Sequence, residues 1–112
     1  MDINFNGYNE NVLTFATDDS IIKAGTPVKM HSNGTVTACT ESDTMIGVAV
    51  NVRNGYAAVQ LSGYIEVKTD DSEVPVGYNK LVCTADGKVA ISDNGREYLV
   101  LSSNQGVAGI IL

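Results

Sequence analysis

Histidine occurs once in this chain, at His31, and cysteine twice, at Cys39 and Cys83. A metal site needs several such residues at ligand spacing. His31, beside Ser32-Asn33-Gly34, has no Cys, Asp or second His so placed and reads as a solvated surface residue. Cys39 follows an expected strand and Cys83 precedes an expected turn. Neither has the paired His and positive setting of a nucleophile, so both read as small buried apolar residues. Basic residues are scarce as well: seven Lys and Arg against thirteen Asp and Glu, a net charge of −6. No basic stripe could release counterions from a phosphate backbone, which excludes nucleic acid as a partner. No segment approaches the ~18 apolar residues of a spanning helix, so no membrane role is expected. The first twenty residues lack the basic start and apolar core of a secretory leader. The expectation is a product made in the cytoplasm with two free thiols.

Charge of either sign is sparse. Charged residues are 18% of the chain, below the usual ~25%, so the exterior must be largely Ser, Thr, Asn and Gly. Such a surface meets another protein surface with few charges to desolvate. At 112 residues the chain has the size of one domain that can bury a modest core.

Helical periodicity is nearly absent. Short runs alternate instead: Val28 and Met30, Val36 and Ala38, Ala57, Val59 and Leu61, Ile65 and Val67, Val89 and Ile91. Period-two alternation between Gly, Asn and Asp turns predicts short strands. The hairpin signals are Asn33-Gly34, Asn54-Gly55 and Asp86-Gly87, pairs that accept the positive φ of tight turns.

The spacings recur. Gly34 and Val36 lie over Gly87 and Val89; Ile46 over Leu99; Gly55, Ala57, Val59 and Leu61 over Gly106, Ala108, Ile110 and Leu112. Gly25 and Gly77 open the two stretches. The reading is an all-β fold, a small internally duplicated β-barrel over 20–112 whose two repeats, about 24–63 and 76–112, face each other to close it. Residues 1–19, with Asn4, Asn6, Asn9 and Asn11, read as a mostly irregular N-terminal arm.

No constellation for chemistry stands out. The carboxylates Asp18-Asp19, Glu41/Asp43 and Asp70-Asp71/Glu73 fall in expected loops without calcium-loop spacing. There is no G-x-S-x-G elbow, no P-loop and no G-x-G-x-x-G. The expectation is that the protein is not an enzyme and has no cofactor or metal. A small carbohydrate- or ligand-binding β module is the alternative, and only Tyr56 and Tyr64, flanking Ala57 to Gly63, could begin its aromatic face. The last strand is apolar on both sides. Val107, Gly109 and Ile111 lack the polar alternation of a solvated strand, unlike the earlier copy where Gln60 intervenes, so this face is expected to be covered by another subunit.

The stretch "IIKAGTPVKMHSNGTVTACTESDTMIGVAVNVRNGYAAVQLSGYIEV" resembles the small capsid-decoration proteins of tailed bacteriophages and prophages. The residues that carry the likeness are Ala24-Gly25 with Val28, Gly34 with Val36, Ile46-Gly47-Val48-Ala49, and Gly55 with Val59 and Gly63. In the second half they are Gly77 with Leu81, Asp86-Gly87 with Val89, and Gly106 to Leu112. The second copy departs from the pattern, with Leu99-Val100-Leu101 where the first has Ile46-Gly47-Val48. The resemblance covers about residues 21–112. It implies a structural protein of the virion that binds the outside of the assembled head, with the major capsid protein as partner and a homotrimer as the usual assembly. It also implies an arm that reaches a neighbouring subunit, and Phe5, Tyr8, Val12 and Phe15 are the arm residues expected to contact the capsid. It brings no catalytic residues.

Overall fold

The computed structural model describes residues 10–18, 23–70 and 74–112. The described residues form ten strands and no helix. These are β1 (Asn11–Thr17), β2 (Pro27–Ser32), β3 (Thr35–Ala38), β4 (Gly47–Arg53), β5 (Tyr56–Ser62), β6 (Tyr64–Lys68), β7 (Gly77–Cys83), β8 (Val89–Ile91), β9 (Arg96–Asn104) and β10 (Val107–Ile111). Turn chemistry sets several boundaries. Asn54 and Gly55 both have positive φ, 43° and 84°, and close the two-residue turn between paired Arg53 and Tyr56. That backbone matches the right-handed twist of the flanking strands.

The fold is all-β, as expected, and contains a barrel. β1 to β5 close on themselves in the order β1-β3-β2-β4-β5, with β5 returning to β1. β6 to β10 form a second five-stranded sheet in the order β6-β10-β9-β7-β8. The strand order recurs between the halves. β2 pairs β3 and β4 as β7 pairs β8 and β9, β4 pairs β5 as β9 pairs β10, and β5 pairs β1 as β10 pairs β6. The parallel contact that closes the barrel, Thr17 with Val36, has its counterpart in an isolated parallel bridge of Thr69 with Val89.

Two expectations need correction. The barrel is not built by two stretches facing each other; the first half closes alone. A four-stranded sheet from β2 to β5 would leave β3 and β5 as open edges, and one strand satisfies both. That strand is β1, so residues 11–17 of the expected arm belong to the barrel. Its period of two is real but short: Leu13 pairs Val59 and Phe15 pairs Ala57. The asparagines around it conceal the pattern.

Each half has its own core. Val28, Val36, Ala49, Ala57 and Val59 fill the barrel, with Phe15 packed against them. Leu81, Cys83, Val89, Tyr98, Val100, Ala108 and Ile110 line the second sheet. Cys39, Met45 and Val48 of the first half complete that second core. The loop between β3 and β4 is thus a plug from one half into the other. Backbone bonds fix it there: Ser42 N–H donates to the Cys83 carbonyl at 2.9 Å, and Cys83 N–H to the Asp43 carbonyl at 2.8 Å.

Candidate interaction surface

Cross-strand partners share one face of a sheet. On the outward face of the second sheet, Tyr78 pairs Leu99, Leu99 pairs Ile111, and Ile111 pairs Tyr64. These four side chains make one apolar row across β7, β9, β10 and β6, on the face opposite Tyr98, Val100 and Ile110. Tyr78 is 70% exposed and its neighbour Val76 67%, whereas Tyr64 is 5% exposed. Lys80 and Glu97, paired across β7 and β9, border the row with charge.

Tyr64 explains the burial at its end of the row. A Cβ on Gly109 would collide with the Tyr64 hydroxyl, so the phenol lies over Gly109. It reaches Ser102 and Glu66 by hydrogen bonds, and burial pushes its pKa up.

The residues singled out in sequence separate accordingly. Val107 is open, Ile111 is half-buried in the row, and Gly109 is roofed by Tyr64 of its own chain rather than waiting for a second subunit. The contrast with Gln60 also changes. Gln60 is buried, not solvated, and its amide donates to the Tyr64 carbonyl at 2.8 Å and the Ser62 carbonyl at 3.1 Å. Of the arm residues, Val12 is exposed on β1. Phe15 instead packs against the barrel core, because β1 turns that side inward. Phe5 and Tyr8 lie outside the described residues. Tyrosines, Tyr78 among them, suit barrel ends or a protein interface on sequence grounds, but sequence reasoning did not place Tyr78 in this row and missed Val76. Their signal, an exposed aromatic directly across from Leu99, exists only once register is known.

Three of the carboxylates, Asp18, Glu41 and Asp43, serve the fold, while Asp19, Asp71 and Glu73 lie outside the described residues. Asp43 accepts from the Lys29 ammonium at 2.7 Å and from the Thr40 hydroxyl and N–H. The bond from Lys29, then those from Thr40, hold its carboxyl down at about 2. Glu41 accepts from Ala85 N–H across the seam, and Asp18 from the Thr37 hydroxyl. Among the described residues no group of three or more His, Cys, Asp or Glu is placed to hold a metal ion. His31 is exposed on β2.

A cleft of about 490 Å³ lies at the seam, lined by Lys23, Lys68, Lys88, Asp86 and the buried Cys39. A shallower hollow of about 170 Å³ lies among Thr14, Asn51, Arg53, Tyr56 and Ala58. The hollow is below the ~300 Å³ at which small-molecule pockets begin. Tyr56 stands at its edge, while Tyr64, beyond the far end of β5, roofs Gly109. The two tyrosines of the ligand-binding alternative therefore do not share a concave face.

No protein-family model matches this chain, and no curated protein matches it in sequence.

Proposed function

We propose that the protein is a structural decoration protein of a tailed-phage or prophage head, binding the outside of the assembled shell and stabilising it. The observation that carries this reading is the outward apolar row from exposed Tyr78 through half-buried Leu99 to half-buried Ile111, with exposed Val76 beside it, on a chain with sparse charge. Aromatic and aliphatic groups ringed by a few charges are the composition of a protein–protein contact. The resemblance noted in the sequence supplies the partner, the major capsid protein, and the homotrimer.

The physics of such a clamp asks for no catalysis. A filled head is under internal pressure, and its lattice opens by local separation of capsid subunits. A protein that binds only the expanded lattice stabilises it by mass action. Three joined copies bind more tightly than one, because the second and third contacts are made at high effective concentration.

The test is retention of packaged DNA on heating. Heads carrying the protein hold their DNA to a higher temperature than bare heads from the same phage. Equal release temperatures at saturating protein overturn the proposal.

A further inference from the structure

The two cysteines, distant in sequence, meet at the seam. Cys39 leaves β3 and Cys83 ends β7, and both are buried in the same core cluster. The backbone holds them there from both sides. Cys39 N–H donates to the Pro27 carbonyl at 3.0 Å, and a turn closed by Asp43 N–H to the Thr40 carbonyl returns the chain to the two hydrogen bonds with Cys83. The two thiols lie within hydrogen-bond reach of each other. Cys39 also lines the seam cleft, whose lysines Lys23 and Lys68 are exposed, while Cys83 lies behind it with no exposed surface. One thiol thus faces an entry path and the other is in hydrogen-bond contact with it.

We propose that Cys39 and Cys83 are a redox pair that closes to a disulfide across the seam, locking the two halves together when the protein meets a low-molecular-weight disulfide. The Cys39 sulfur attacks the entering disulfide. One small thiolate leaves, and the Cys39 proton passes along the hydrogen bond towards Cys83 and on to that thiolate. Cys83 then attacks the Cys39 sulfur of the mixed disulfide. The second small thiolate leaves with the remaining proton. Two protein thiols are oxidised and one small disulfide is reduced to two thiols. The contact between the thiols pulls the Cys83 pKa down and, with burial, pushes the Cys39 pKa up, so the attack by Cys39 depends on its proton leaving as the new S–S bond forms.

The bond would enclose β4, β5, β6 and most of β7 in one covalent loop. Closing a loop of that length restricts the unfolded chain far more than the folded one. In a reducing cytosol the pair stays open; outside a cell it closes. The inference stands on the seam alone and is independent of the capsid reading.

The experiment treats the folded full chain with oxidised glutathione and reads non-reducing peptide maps and melting temperature. The expected result is a Cys39–Cys83 linked peptide within one chain and a Tm higher by at least ~5 °C, reversed by dithiothreitol. Cys83→Ser should instead keep a glutathione adduct on Cys39, and Cys39→Ser should stay unmodified. Wild-type protein that carries a lasting adduct or forms linked dimers overturns the proposal. So does a linked pair that leaves Tm unchanged or lower.

Discussion

The Tyr98 hydroxyl on β9 donates a hydrogen bond to the Met45 carbonyl at 3.3 Å, joining the inside of the second sheet to the plug from the first half. Tyr98 is 2% exposed, so removing the hydroxyl leaves that carbonyl without its partner away from water. Tyr98→Phe should lower unfolding free energy by about 1 kcal/mol with little change in the denaturant m-value. An unchanged midpoint in urea would show that the seam does not depend on this bond.

Asp43 gives the seam a pH dependence. Its carboxyl titrates at about 2 in the folded protein against an ordinary 3.8. A depressed carboxylate contributes stability that is complete above the unfolded value and is lost as pH falls through the folded one. The loss therefore falls between about pH 4 and pH 2. Asp43→Asn should flatten the thermal stability profile across that window. Because the ion pair with Lys29 is partly exposed, added salt should shrink the wild-type effect. A variant whose Tm falls with acid as steeply as the wild type would contradict the assignment.

Phe15 distinguishes a barrel strand from an arm. Packed against Val28, Val36 and their neighbours, it should lose about 2–3 kcal/mol of stability as Phe15→Ala, since it is only partly buried. A change below ~0.5 kcal/mol would be the behaviour of an exposed arm residue.

Gln60 and Ile111 should respond in opposite ways. Gln60→Glu removes an amide that bonds two carbonyls and places a carboxylate against them, so it should unfold at lower temperature while leaving oligomeric state alone. Ile111→Asp, half-buried on the outward row, should lower the Tm of the monomer modestly and abolish the proposed trimer in light scattering. A wild-type protein that stays monomeric at high micromolar concentration would restrict the trimer to the capsid lattice.

Local chemistry made much of this fold legible. Asn54-Gly55 is a hairpin because both residues tolerate positive φ, and that is visible in two letters. The alternation of Ala57, Val59 and Leu61 marks β5 in the same way. β1 was hidden because strand pairing, not composition, decides its fate; Asn11 to Thr17 close a barrel only once β3 and β5 present their edges. A second signal was present. Thr17-Asp18-Asp19-Ser20 recurs as Thr69-Asp70-Asp71-Ser72, each eight residues before Gly25 or Gly77. Those two threonines pair in parallel with Val36 of β3 and Val89 of β8. The glycine at Gly47 also has a physical reason. A Cβ there would collide with the Gln60 carbonyl, and no such glycine is present at the corresponding place on β9. The apolar row could not be read at all, since Tyr64, Tyr78, Leu99 and Ile111 become neighbours only through register.

The most direct measurement is co-sedimentation of wild-type and Tyr78→Asp protein with expanded and unexpanded heads assembled from the major capsid protein proposed as its partner. The account has wild type saturating expanded heads and ignoring unexpanded ones. Tyr78→Asp, folded to the same Tm, should bind expanded heads at least ~10-fold more weakly, the loss expected when an aromatic anchor of a contact is removed. Wild-type protein that stays in the supernatant with expanded heads would contradict the account.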